Sequence, residues 1–129
     1  MAFPEQWLHA SIEAATGLRA WPADVPEGER PPFVVFARTA TERERYLPYP
    51  SGSPVATFEV LVFAESYLEG KHIADRIRLA CDNFTGEFDG VTIQEASLSD
   101  ERDGEPVEFG GEGKPTYSVE MTFLIRFAE

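Results

Sequence analysis

The chain has 129 residues, 43% of them hydrophobic and ten of them Phe, enough for one core and for a single domain over residues 1–129. Eleven Lys and Arg stand against 23 Asp and Glu, a formal net charge of −12. That balance excludes a nucleic-acid groove, which needs excess cations to displace counterions, and disfavours docking on an anionic membrane.

The single cysteine, Cys81, leaves no intrachain disulfide to form. It falls at a core-facing helical position, where a thiol is buried and inert. The longest apolar runs, Phe33–Ala37 and Val60–Ala64, are too short to span a bilayer. Met1–Glu5 has neither a basic start nor an apolar stretch, so no secretory signal is expected.

Pro4 is suited to open a helix, with Glu5 favoured near its positive end. Leu8, Ile12 and Ala15 make one apolar stripe, and Gly17 supplies a stop, so the spacing predicts a helix over Pro4–Thr16. Arg19–Pro32 reads as a connector. Pro22, Pro26, Pro31 and Pro32 argue against regular pairing there, and Trp21 anchors it to the core. Phe33–Thr41 is β-branched and aromatic, a strand buried on both faces in its first half. Glu42-Arg43-Glu44-Arg45 alternates in sign, which in a strand puts both Glu on one face and both Arg on the other. Tyr46–Pro54 holds Pro48, Pro50, Gly52 and Pro54 and reads as a loop with Tyr46 and Tyr49 on its rim. It is a candidate contact surface, or else an ordinary hairpin connection with amphipathic tyrosines.

Val55–Ala64 is the next strand. Phe58, Val60, Val62 and Ala64 share an apolar face that should meet helices. Thr57, Glu59, Leu61 and Phe63 share a mixed face suited to a neighbouring subunit. Ser66 is a candidate N-cap for a helix from Tyr67 to Phe84, with Ile73, Ile77, Ala80 and Phe84 on its core stripe and Gly86 or Gly90 at its exit. Val91–Leu98 alternates as a strand. Ser99–Lys114 is acidic and glycine-rich and reads as a mobile segment, with a short strand at Val107–Phe109. Pro115–Phe127 has the cleanest alternation, Tyr117, Val119, Met121, Phe123, Ile125 and Phe127 on one face and Ser118, Glu120, Thr122, Leu124 and Arg126 on the other. The expected fold is α+β, in the order α-β-β-α-β-β. A mostly antiparallel four-stranded sheet is covered on one face by two helices.

Motifs for chemistry are absent. His9 and His72 fall in different helices without ligand-spaced partners. Gly110-Gly111-Glu112-Gly113-Lys114 lacks the strand and helix that frame a phosphate cradle. Aligning Gly104 to the glycine of a calcium loop puts Gly110 where the bidentate Glu is needed. No catalytic residue, cofactor or metal is expected, and the protein is read as a non-enzyme.

Several stretches together carry a family resemblance. They are Arg19-Ala20-Trp21-Pro22 with Val25-Pro26-Glu27-Gly28, Pro32–Phe36, Thr57–Ala64, Ile73-Ala74-Asp75-Arg76-Ile77 and Tyr117–Phe127. Over nearly the whole chain this resembles the tail completion, or tail terminator, proteins of long-tailed bacteriophages and prophages. The resemblance implies a ring-shaped homo-oligomer, a hexamer on the tail, at the head-proximal end of the tail tube. It would stop tube polymerisation and join the tail to the head completion or connector protein. The implied partners are further copies, the tail tube protein and the connector, with no specific nucleic-acid binding and no membrane. The implied location is the virion tail, after assembly in the bacterial host cytoplasm. Candidate contact residues are Glu42, Arg43, Glu44, Arg45, Tyr46 and Tyr49, then Glu59 and Phe63, then Asp100, Arg102 and Asp103. The alternatives are another neck or head–tail connector component, or an enzymatic or small-molecule-binding α+β domain. The last would need a deep apolar pocket with convergent polar groups.

Overall fold

The computed structural model describes residues 3–43, 45–46, 49–50, 53–108 and 115–128. In chain order the elements are α1 (Pro4–Thr16), β1 (Ala20–Pro22), β2 (Phe33–Glu42), β3 (Arg45–Tyr46), β4 (Tyr49–Pro50), β5 (Val55–Ala64), α2 (Tyr67–Cys81), β6 (Phe84–Phe88), β7 (Val91–Asp103), β8 (Val107–Glu108) and β9 (Pro115–Ala128).

The main sheet has seven strands, in the order β1-β2-β5-β9-β7-β6, with β8 also paired to β9. It is mixed, because β1 runs parallel to β2 while the other neighbours are antiparallel. The expected four-stranded antiparallel sheet is therefore incorrect, and the protein is richer in strand than the sequence suggested. Three physical causes account for the difference.

The first is β1. Proline removes one donor and fixes φ, which is tolerated on an edge. Here β1 needs only a few bonds: Val34 N–H donates to Arg19 O at 3.3 Å and Ala23 N–H to Phe36 O at 2.7 Å. Two of the outward groups of β1 are already used. Ala20 N–H donates to Glu13 Oε2 at 3.1 Å, Pro22 has no N–H, and its carbonyl accepts from Asp24 N–H at 2.7 Å.

The second cause is β6. Helix α2 stops at Cys81, before the predicted Phe84, because the chain turns there to pair with β7. Asp82 is extended and its Oδ1 accepts from Leu98 N–H at 2.8 Å. Asn83 takes a positive φ of 62° and donates its N–H to Ala96 O at 2.7 Å. Asp89 and Gly90, with φ of 46° and 85°, then make a two-residue hairpin turn whose twist suits the flanking strands. Phe84 reaches the core from β6 and packs on Trp7, ring centroids 4.8 Å apart. Ala80, predicted for the core stripe, is exposed.

The third cause is the length of β7. It continues to Asp103, pairing Asp100, Glu101, Arg102 and Asp103 with Thr122, Met121, Glu120 and Val119 of β9. Strand β6 covers only the first part of β7, so among the described residues this charged half pairs with β9 alone. Charge on such an edge is tolerated and discourages further pairing.

The regions of strong periodicity follow expectation. Helix α1 keeps its predicted bounds, with Gly17 left-handed at φ 71° and its N–H on Glu13 O at 2.9 Å. Ser66 caps α2, its hydroxyl accepting from Glu69 N–H at 3.2 Å. Strand β5 spans the predicted residues, and Phe58, Val60, Val62 and Ala64 are all buried. They join Val119, Met121, Phe123 and Ile125 of β9 in one core under Trp7, Leu8 and Ile12 of α1 and Ile73, Ala74 and Ile77 of α2. Trp7 was missing from the predicted stripe. Cys81 is buried in the same core, and burial pushes its thiol pKa up to about 12, so it stays protonated.

One cation enters the helix-covered side. Arg38 lies opposite Phe58 in the β2–β5 ladder. Its guanidinium sits 5.5 Å from the Phe58 ring centre and 5.2 Å from that of Phe127. Its Nη2 meets Glu5 Oε1 at 2.5 Å, and its Nη1 donates to Thr41 Oγ1 at 3.2 Å. The arginine thus ties the first turn of α1 to the sheet.

Candidate assembly surface

Both helices lie on one side of the sheet, and the other side carries none. Cross-strand register decides which residues that open side presents. Leu61 pairs with Glu120, which pairs with Arg102. Glu59 pairs with Thr122, which pairs with Asp100. Thr57 pairs with Leu124 and Leu124 with Ser97, then Val55 with Arg126 and Arg126 with Glu95. Side chains one register position apart point to opposite faces, so all of these lie opposite the buried core.

Near β2 this face is closed. Phe33 and Val35 are buried, and the Phe33 and Phe63 rings pack at 5.1 Å. Toward β9 and β7 it opens. Glu59, Glu95, Asp100 and Arg102 are exposed, and Leu124 is 37% exposed. Arg102 Nε lies 3.3 Å from Glu120 Oε2 and 3.6 Å from Asp100 Oδ2. Pairs this exposed contribute little to stability, because water screens them and ordering both side chains costs entropy. They set the charge pattern of the face.

The predicted contact residues divide in a definite way. Glu59, Phe63, Asp100 and Arg102 come together on the open face, and Glu42 joins them opposite Val55. Arg43 is exposed just past β2. Arg45-Tyr46 and Tyr49-Pro50 form a separate two-stranded ladder, which replaces the predicted plain loop. Glu44 lies outside the described residues. Asp100, Arg102 and Asp103 sit on a strand, which corrects their placement in a mobile segment. The predicted short strand is β8, Val107–Glu108, and Phe109 lies outside the described residues.

Asp103 is on the opposite face from Arg102. Its Oδ2 accepts from the Tyr67 hydroxyl at 2.8 Å, and its Oδ1 accepts from Lys71 Nζ. These bonds fasten the start of α2 to the end of β7. The Lys71 bond first, and then the Tyr67 bond, hold the Asp103 pKa below its ordinary 3.8, while Lys71 is raised above 10.5. The Asp103 contribution is therefore present above pH 3.8 and lost as pH falls through the lower folded-state value. The Lys71 contribution is present below pH 10.5 and lost as pH rises through its higher folded-state value. An NMR titration of the Asp103 carboxyl should give a midpoint below 3.8; a midpoint at or above it would rule out the clasp.

Leu124, Glu95, Glu120 and Arg126 were not singled out from sequence. For Glu120, Leu124 and Arg126 the signal was the alternation of the last strand, which already separated them from Phe123 and Ile125. The remaining candidates are structural. A groove of about 500 Å³ between α1 and β1 is lined by His9, Glu13, Leu18, Arg19 and Trp21. Glu13 Oε2 there is taken up by Ala20 N–H and by His9 Nε2 at 3.2 Å, and the His9 ring stacks on Phe36 at 5.7 Å. The polar groups of this groove hold α1 to the sheet. His72 is exposed on α2. Among the described residues no three His, Cys, Asp or Glu side chains gather as a metal-ligand set.

No family model and no curated protein matches the sequence. The fold does have a counterpart. A chain of a solved structure described as the virion of a native gene transfer agent (GTA) particle superposes with a TM-score of 0.69, over 92% of this chain and 84% of that one. The two are 12% identical, a likeness of fold.

Proposed function

We propose that this chain is a structural protein of a phage-type virion, and more specifically a tail completion protein. It would form a ring on the head-proximal end of the tail tube, end tube growth and present a surface to the head connector. The observation that carries the virion reading is the shared fold with a chain of a gene transfer agent virion, over 92% of this sequence. The finer reading rests on the resemblance of the Arg19–Gly28, Thr57–Ala64 and Tyr117–Phe127 stretches to tail terminators. A non-catalytic, assembly role also suits the open sheet face, where charged and apolar side chains alternate as they do across protein contacts. The net charge of −12 suits a channel that DNA crosses without adhering, since like charges repel the phosphates.

The test is deletion of the coding sequence in the producing particle, followed by electron microscopy. Loss of the protein should leave over-length tubes without heads, and a tagged copy should restore normal tails and label their head-proximal end. Normal tails joined to heads without the protein would sink the reading. Tubes of normal length that merely fail to join heads, with label at the neck, would move the assignment to a head–tail connector component.

A further inference from the structure

Two surfaces of this molecule are matched to each other. The first is the open sheet face, with Leu61 part-exposed and Leu124 37% exposed, flanked by exposed Glu59 and Glu95. The second is the outward side of α2. Leu68 and Leu79 are 66% and 67% exposed, and they are eleven residues apart. At 100° per residue they project in nearly the same direction, opposite buried Ile73 and Ile77. Among the described residues, these two leucines lie exposed on the solvent side of one helix.

Their spacings agree. Eleven helical residues separate Leu68 and Leu79 by about 16 Å. Leu61 faces Glu120, so Leu124 lies four residues along β9 and one strand across, about 14 Å away. The charges also agree. Within Tyr67–Cys81, Lys71, Arg76 and Arg78 outnumber Glu69 and Asp75 by three to two, so α2 is net positive in a chain of net −12. Lys71 is engaged by Asp103, and Arg78 by Asp75 at 2.6 Å. Among the described residues of this helix, Arg76 is then the side chain that can offer positive charge beside the leucines. The sheet face offers Glu59 and Glu95.

We propose that the outer side of α2 of one copy packs on the open sheet face of the next, the leucine stripe over Leu61 and Leu124 and Arg76 toward Glu59. A sheet face is normally buried by a helix layer, and this contact supplies the layer missing on that side. Sheet against sheet would set a net acidic face against itself, with Glu42, Glu59, Glu95, Asp100 and Glu120 outnumbering Arg102 and Arg126, so a two-fold version of the contact is disfavoured. A contact joining two different surfaces is head-to-tail. It repeats from copy to copy until it closes, which is how a ring is made. The inference deepens the ring reading above and rests on it for the number of copies alone.

Sedimentation equilibrium at low salt and up to millimolar concentration tests the contact. Wild type should associate beyond a dimer. Leu124→Asp and Leu79→Asp both change exposed residues, so each variant should keep its circular dichroism and melting curve, and each alone should weaken association by about tenfold or more. Mixed one to one, they should give a heterodimer and nothing larger, because one intact helix face meets one intact sheet face. Glu59→Arg and Arg76→Glu should each weaken association, and the double exchange should restore it. Wild type that stays monomeric at millimolar concentration, single variants that associate normally, or a mixture without heterodimer would each overturn the proposal. Tails capped as well by Leu124→Asp as by wild type would reject this contact while leaving the tail assignment standing.

Discussion

Replacing Phe123 by Ala should lower the unfolding free energy by about 3–5 kcal/mol, the usual cost of emptying a phenyl-sized space in a packed core. Phe123 is fully buried in β9, opposite Phe58 in β5 and Leu98 in β7. It lies in the cluster that joins the sheet to both helices, so the cavity has few ways to collapse. Against a total stability of about 5–15 kcal/mol the loss is large. Urea denaturation should show a lower midpoint with an unchanged slope. The control is Leu124→Ala, one residue further on and on the opposite face, which should stay within about 0.5 kcal/mol of wild type. Equal costs for the two would mean that the face assignment of β9 is wrong, and with it the open surface.

Arg38→Ala should be the next most damaging change, at about 2–3 kcal/mol. The guanidinium lies over two buried rings and its side chain is only 21% exposed, so its attraction to the ring faces is less screened than at a surface. Truncation also strands the Glu5 carboxylate, itself 38% exposed. Lysine should rescue poorly, since it has neither the flat face nor the fork that reaches Glu5 and Thr41 together. Glu5→Gln should cost less, because the rings remain covered. Thermal melts of the three variants would order them. A cost for Arg38→Ala below about 0.5 kcal/mol would reduce the residue to an ordinary surface charge.

Where periodicity was strong, the chain was legible. The i, i+4 spacing of Leu8 and Ile12 and the alternations in Val55–Ala64 and Pro115–Phe127 located α1, β5 and β9, since burial on one face imposes those periods. Where two rules competed, the reading failed. Phe84 falls at the right spacing to prolong α2, and it is packed in the core, but it arrives there from β6. The Asp89-Gly90 turn, with both residues at positive φ, was the competing signal and the better one. The prolines hid β1, because their ban on pairing concerns a single donor that an edge strand does not need. Acidic composition hid the second half of β7, because a strand with solvent on both faces need not alternate. The candidate surface was legible to a similar degree. Glu59 and Phe63 were found through alternation on β5, while Asp100 and Arg102 were chosen for loop-like exposure and proved to be strand residues on that face. Asp103 could not have been assigned without the register, which turns it toward Tyr67 and Lys71.

The outer side of β1 has a consequence for behaviour in concentrated solution. A sheet with two bare ends can pass strand pairing from molecule to molecule and grow into a fibre. Along β1 no outward main-chain donor is left, Ala20 N–H being held by Glu13 and Pro22 having none. Strand pairing between molecules is therefore disfavoured along β1, and prolonged storage should favour small, countable species over amyloid.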